Sequence, residues 1–150
     1  MAVTASGLYL TTFIDILDTT QLAIDLDLET HKIALFSNSI TPSFSADTAY
    51  GVSPYNGNEV TGTNWASGGV AVTTTTVTES PTGTLMFDAA DVSVGTATFT
   101  GARFGLIYAD ALAGNNAIVG INFGSDYSPN AGTFSITWAS TGVFALDLTP

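Results

Sequence analysis

Hydrophobic positions near the N-terminus follow a helical spacing. Four of them stand at i, i+3, i+4 and i+7, namely Leu10, Phe13, Ile14 and Leu17. This spacing predicts one short amphipathic helix over residues 8–18. Residues 1–10 would form an N-terminal arm that needs cover or a partner.

Most of the remaining chain shows patterns typical of strands. Residues 22–28 alternate leucine or isoleucine with alanine or aspartate, which predicts a strand whose acidic side chains face water. The apolar run 32–36 predicts a short buried strand. Further strands are predicted over residues 70–77, 84–87, 96–100, 102–108, 117–123, 133–138 and 143–148.

Short strands at this regular spacing are typical of an all-β fold. They predict an antiparallel β-sandwich, Ig-like or jelly-roll-like, with one short N-terminal helix. Residues 139–142, with the sequence ASTG, predict the turn of a hairpin between the last two strands. The length of 150 residues without a break in composition predicts a single domain over residues 1–150.

A long loop excursion over residues 37–69 interrupts this rhythm. Loops of that length in compact domains are usually functional or flexible. Its second part, 58–69, combines turn-forming Gly, Asn and Thr residues with Trp65. The candidate partner-contact residues are those of the arm and the excursion: Leu8, Tyr9, Phe44, Tyr50, Tyr55 and Trp65. The alternative is that the four excursion aromatics cover the core, which we expect of at least two of them.

The excess of acidic over basic residues excludes some classes of binding partner. Charged residues make up 10% of the chain and the formal net charge is -11, whereas charged residues typically make up about 25%. Such a chain repels phosphate backbones and anionic membranes, so neither nucleic acid nor a membrane is expected as a partner. With no cysteine, the fold cannot use disulfides or thiolate metal sites.

Candidate catalytic groups are few. His31 is the single histidine and is expected to be a surface or strand-end residue rather than a catalytic base. Asp25, Asp27 and Glu29 could offer oxygens to calcium, although a solvated strand face is the simpler interpretation. Acid pairs such as Asp88 with Asp91 resemble turn residues more than a hydrolase pair. We therefore expect no catalytic residue, cofactor or metal. Arg103 is expected to pair with a carboxylate inside the fold.

We also expect no targeting signal in the sequence. The first residues lack the positive segment of a secretory signal, and no apolar run is long enough to span a membrane. An acidic, Thr-rich chain without an export signal fits a virion protein that is synthesised in the host cytoplasm and released by lysis.

Several runs together resemble a family of small structural proteins from the virion gene clusters of tailed bacteriophages. The matching runs are HKIALF (31–36), SITP (39–42), NEVTGT (58–63) with Gly68 and Gly69, FDAADV (87–92), ARFGLIY (102–108), INFGSD (121–126) and GTFSITW (132–138). They cover nearly the whole chain in order. The resemblance implies a non-enzymatic virion component, either a head decoration protein or a minor tail or fibre-associated protein.

The first expectation is a capsid decoration (cement) protein on the capsid surface. It would bind the outer face of the major capsid protein shell and stabilise it. A homo-oligomer is expected, with a trimer implied by where such proteins usually sit. The alternative is a minor tail or fibre-associated protein that contacts the host surface. In the most specific version of this alternative, the aromatic residues of the excursion bind glycans.

Overall fold

Strand pairing dominates the computed structural model, which describes residues 2–81 and 83–149. The one helix among these residues is α1 (Leu10–Leu17). The strands are β1 (Gly7–Leu8), β2 (His31–Phe36), β3 (Val70–Val72), β4 (Thr76–Glu79), β5 (Thr84–Asp88), β6 (Val92–Ala97), β7 (Ala102–Tyr108), β8 (Ala117–Tyr127), β9 (Gly132–Ile136) and β10 (Phe144–Asp147). The prediction of an all-β fold with one short N-terminal helix is confirmed.

The strands form three sheets in which every pair is antiparallel. The largest has the order β1-β8-β7-β2-β3, the second β10-β5-β4 and the third β6-β9. In the largest sheet β7 lies between β2 and β8, with Ile33 opposite Ile107 and Gly105 opposite Ile121. β2 and β7 are buried along almost their whole lengths. This burial explains why the sequences of the two strands are continuously apolar, because a strand that is covered on both faces needs no polar face.

Both faces of the five-stranded sheet are covered. Ile33 and Leu35 of β2 belong to one hydrophobic cluster, together with buried residues of β6 and β9. Ala34 and Phe36, which point to the opposite face, belong to a second cluster with Tyr55. The core therefore consists of two layers of side chains, one on each side of β2 and β7.

The excursion over residues 37–69 supplies part of both layers. It contains no extended strand, as predicted, but isolated bridges join Glu59 to Phe36 and Thr63 to Thr98. Its first part places Tyr55 against one face of the sheet, and its second part places Trp65 against the other. The excursion is thus a structural cover of the sheet, held by backbone pairing at several points.

The predicted strand over residues 22–28 is wrong. The burial of its side chains does alternate, since Ile24 and Leu26 are half-buried while Asp25 and Asp27 are exposed, yet the segment is a loop ending in a turn. The carboxylate of Asp25 accepts the backbone N–H groups of Asp27 and Leu28, both at 3.2 Å. Local side-chain bonds of this kind compete with a strand ladder, and the segment pairs with none of the described strands.

Three other strand assignments need correction. The predicted strand 70–77 is two strands in different sheets, broken where Thr74 has φ +53°. The strand predicted over 96–100 lies earlier, as β6, and β8 extends beyond 117–123 to Tyr127. The turn at 139–142 forms, with Gly142 N–H donating to Ala139 O at 2.9 Å. However, β9 pairs with β6 and β10 with β5, so no hairpin follows from it.

Candidate functional site

The structure divides the six candidate contact residues into two groups. Tyr9, Tyr55 and Trp65 are buried, with 0%, 2% and 0% of their surfaces exposed. Because a buried side chain cannot meet a partner, their assignment as contact residues is corrected: they are core residues. This confirms the expectation that at least two of the excursion aromatics cover the core.

The other three candidates are half-buried and packed against neighbours. Leu8 lies in β1 opposite Val119. Phe44 packs edge-on against Tyr9 at a centroid distance of 5.3 Å. Tyr50 stacks on Tyr108, with centroids 4.5 Å apart and planes 12° apart. The structure therefore does not join the six residues into one exposed surface.

Tyr9 and Tyr55 form a buried polar pair with Asp47. Their hydroxyl groups share a hydrogen bond, and the Tyr55 hydroxyl also donates to Asp47 Oδ2 at 3.1 Å. Burial raises the pKa of both phenols, and the nearby Asp47 carboxylate raises each further. Burial is also the main cause of the raised pKa values of Tyr50 and Tyr108. These groups favour the neutral phenol in the folded chain.

We expect the protein to lose stability in strongly alkaline solution. The phenols of Tyr9, Tyr50, Tyr55 and Tyr108 have folded pKa values above the ordinary 10.0. Below pH 10 their contribution is fully present; above it the unfolded chain releases protons that the folded chain retains, so the free energy of unfolding falls. Urea unfolding at several pH values, with phenolate absorbance as a second probe, measures this. Tyr55→Phe should reduce the slope, and a stability independent of pH above 10 would contradict the expectation.

The segment 58–69 is fixed by the carboxylate of Glu59. It accepts hydrogen bonds from the hydroxyls of Tyr50 at 3.0 Å and Ser67 at 2.8 Å, and from the backbone N–H of Gly68 at 2.7 Å. Trp65 then packs between Phe99 and Phe134, at centroid distances of 5.8 and 5.5 Å. The segment therefore anchors the core rather than displaying an aromatic side chain.

Helix α1 leaves three of the four apolar residues of its predicted stripe exposed, while Phe13 packs against the core. Leu10, Ile14 and Leu17 are 51%, 48% and 85% exposed, while Thr12 is 1% exposed. An amphipathic stripe ordinarily faces the core. Here Thr12 faces it instead, and its hydroxyl donates to Ala117 O at 2.6 Å. The neighbouring Thr11 hydroxyl donates to Asp47 O at 2.9 Å. Threonine bonds to the backbone thus fix the helix with three large apolar side chains in water.

We call Leu10, Ile14 and Leu17 the α1 apolar face. Together with Phe13 and Asp18 they line a shallow hollow of about 270 Å³. Contiguous exposed apolar surface marks interaction sites, because its burial against a partner removes it from water. Apart from Asp18 the lining residues are apolar, so the chemistry that this surface offers is apolar contact with one carboxylate at its edge.

His31 and the carboxylates of Asp25, Asp27 and Glu29 lie near one another at the start of β2. His31 begins β2, as expected of a strand-end residue, but it is buried rather than on the surface, with Nε2 3.1 Å from Asp25 O. Among the described residues, no group of three or more His, Asp or Glu side chains is arranged to hold a metal ion. Arg103 pairs with Asp126 of the same chain at 3.3 Å, but the Asp126 side chain is 53% exposed, so the pair lies at the surface rather than inside the fold.

Sequence reasoning missed a groove between β8 and β9. It has a volume of about 430 Å³ and is lined by Phe123, Tyr127, Phe134 and Trp138, among others. The apolar alternation of 134–138 was visible in the sequence, but it indicated only a core strand. Nothing in the sequence shows that the edges of β8 and β9 face each other.

No helix within residues 2–81 and 83–149 is long and apolar enough to cross a membrane.

Comparisons with known proteins identify no protein that is similar to this chain. Neither the protein-family models, nor the curated proteins, nor the solved structures contain a significant match to this chain.

Proposed function

We propose that this chain is a non-enzymatic structural protein of a virion: a capsid decoration protein that binds the outer surface of the major capsid protein shell and stabilises it. The observation that carries the proposal is the α1 apolar face. Leu10, Ile14 and Leu17 are exposed although the same helix buries Thr12. Although Phe13 packs on the core, the other three residues of the stripe leave apolar surface that a partner would cover.

The energetics of the α1 apolar face suit repeated, modest contacts. Complete burial of one Leu or Ile side chain contributes about 1.5–3 kcal/mol. Three such side chains give a weak site for a single copy once the cost of association is subtracted. A protein present in many copies, each touching adjacent subunits, strengthens such contacts through high effective concentration. A homotrimer around a local symmetry axis of the shell is the arrangement that we propose.

The charge distribution indicates the chemistry of the shell surface. The chain has two basic side chains, and both are used in ion pairs: Lys32 with Asp110 at 2.9 Å and Arg103 with Asp126 at 3.3 Å. In the sequence Asp15 lies between Ile14 and Leu17 and Asp18 directly follows Leu17, and Asp18 lines the hollow of the α1 apolar face. We therefore propose an apolar binding surface with a basic rim on the capsid protein, since opposite charges steer and orient association.

The fold is proposed to be a β-sandwich of Ig-like or jelly-roll-like type. Support comes from the packing of Ile33 and Leu35 in the five-stranded sheet against buried residues of β6 and β9. Two antiparallel sheets in face-to-face contact are the basis of such folds. The virion surface is the location that follows from the proposed role.

Substitution of Leu17 by serine is expected to weaken binding to empty shells about ten-fold, because burial of this side chain contributes about 1.4 kcal/mol or more. Leu28→Ser is a matched control, since Leu28 is 83% exposed against 85% for Leu17 and lies outside α1. The measurement is co-sedimentation with shells of the major capsid protein from the same genome.

Electron microscopy of complete particles tests location separately. The chain should cover the head shell. Equal binding by both leucine variants would refute docking through α1, and absence from the head would refute the decoration role. Binding to host cells but not to shells would favour the tail or fibre alternative.

A further inference from the structure

The groove between β8 and β9 differs from every other surface described above in its chemistry. Its volume of about 430 Å³ lies within the range of about 300–1,000 Å³ typical of ligand sites. It is lined by aromatic rings, aliphatic side chains and hydroxyl groups, and by no Asp, Glu, Lys or Arg side chain. By contrast, the hollow at residues 23–29 is lined by Asp25, Asp27 and Glu29. In a chain of net charge -11, an uncharged groove favours an uncharged ligand.

Three aromatic rings form one wall of the groove. The centroids of Phe123, Tyr127 and Phe134 lie 6.1, 6.2 and 6.3 Å from one another. Phe134 is buried, whereas Tyr127 is 46% exposed. The two phenylalanines therefore hold the Tyr127 ring in place while part of its surface stays open to a ligand.

Trp138 is held in the same groove by two hydrogen bonds. Its indole Nε1–H donates to Ala90 O at 2.9 Å, and its backbone N–H donates to Asp91 Oδ1 at 3.0 Å. The polar edge of the indole is thus already satisfied, and the half-buried ring lines the groove with its apolar surface. A fixed ring loses little conformational entropy when a ligand binds.

Hydroxyl-bearing residues also line the groove. Ser6, Ser135 and Thr137 are exposed there, but the Ser135 hydroxyl already lies 3.2 Å from the Ser93 hydroxyl of β6, which leaves Ser6 and Thr137 for a ligand. A hydroxyl can both donate and accept, so it matches a ligand that is itself rich in hydroxyls. Aromatic faces beside neutral hydroxyls suit pyranose sugars, which present apolar C–H faces and a rim of hydroxyl groups.

A peptide strand fits the groove less well than a sugar. β9 pairs only with β6, and β1 covers β8 only at Val119 and Gly120, so strand edges do face the groove. The β8 edge is irregular, however. The Asn122 N–H donates to Ser6 Oγ at 2.8 Å, and Gly124 has φ +78°. An added strand requires a regular row of free N–H and C=O groups, which this edge does not offer.

We propose that the groove between β8 and β9 is a binding site for a neutral saccharide. The Tyr127 and Trp138 rings stack on apolar faces of the saccharide, and the hydroxyls of Ser6 and Thr137 bond its rim. The site shares no lining residue with the α1 apolar face, so a virion that carries this chain could bind glycans while α1 holds the shell. The inference goes beyond the proposed decoration role and does not depend on it.

An oligosaccharide array tests the proposal with the intact chain. It carries neutral gluco-, galacto-, manno- and N-acetylglucosamine oligomers beside sialylated and sulfated ones. We expect saturable binding to at least one neutral series and none to the acidic ones. Tyr127→Ala should weaken that binding at least about ten-fold, and Tyr127→Phe, which keeps the ring, by no more than about three-fold. Leu28→Ser, outside the groove, should bind as the unchanged chain does.

Backbone amide NMR locates the bound sugar. Shifts on titration with the bound oligomer should fall in residues 121–127 and 134–139, and circular dichroism should show that Tyr127→Ala is folded. Absence of binding to every neutral series would overturn the proposal, as would Tyr127→Ala binding like the unchanged chain. Shifts confined to α1, or displacement by an extended peptide alone, would also overturn it. None of these outcomes alters the shell-binding result for Leu17→Ser.

Discussion

Replacement of Trp65 by alanine is expected to lower the free energy of unfolding by about 3–5 kcal/mol. The indole is fully buried and packs between Phe99 and Phe134. Its removal leaves a cavity that the surrounding sheet can close only in part. Because a domain of this size is stable by about 5–15 kcal/mol, the loss is a large fraction of the total.

Trp65→Phe distinguishes the ring from its polar edge. Trp65 Nε1 has no hydrogen-bond partner among the described residues, so phenylalanine removes an unsatisfied group while keeping an aromatic ring. We expect a loss clearly smaller than for alanine. Denaturant unfolding followed by circular dichroism measures both variants without relying on the altered fluorescence. Leu28→Ala, at an exposed site, should stay within about 0.5 kcal/mol. A loss below about 1 kcal/mol for Trp65→Ala would contradict its place in the core.

Substitution of Gly69 by alanine is expected to destabilise the fold by at least about 3 kcal/mol. A Cβ atom there would lie 1.8 Å from the carbonyl oxygen of Ile33, which belongs to the backbone of β2 and cannot rotate away. Gly69 also has φ +76°, a conformation that favours glycine. Since the next residue, Val70, pairs with Ile33, the clash would separate β3 from the sheet.

Two other glycines in the same excursion serve as graded controls. Gly51 has φ +84° but no atom within 4 Å of an added Cβ, so Gly51→Ala reports backbone strain alone, about 1 kcal/mol. Gly57 has neither a positive φ nor a near neighbour, so Gly57→Ala should be neutral or stabilise by up to about 1 kcal/mol. Thermal and denaturant unfolding of the three variants measures the order of their losses in unfolding free energy. Equal effects at Gly69 and Gly51 would show that close packing on β2 is not the cause.

The candidate contact surface was the least predictable part of the molecule. Aromatic residues in a long irregular segment suggest exposure, but Trp65 and Tyr55 complete the two core layers. Conversely, the helical stripe that would suggest a core face is exposed at Leu17. Both reversals depend on which side of each segment meets the sheet, and local spacing does not contain that information.

The groove at Tyr127 and Trp138 could not be located from the sequence for a similar reason. Its two walls come from β8 and β9, which are not paired with each other and belong to different sheets. Their residues approach because each strand packs on the same cluster, which includes Phe134. Such proximity is a product of tertiary packing rather than of any motif.

The all-β class, the place of the helix, the buried strand β2, the strand β7 and the long excursion could all be predicted from the sequence, because local periodicity and turn chemistry act over a few residues. Prediction from the sequence failed for segments whose structure depends on pairing with strands that are distant in the sequence. Alternating residues 22–28 found no strand to pair with, and the turn at 139–142 joined strands of different sheets. Long-range packing determines which aromatic side chains are in the core and which residues of α1 are exposed, since burial is a property of the whole packed chain.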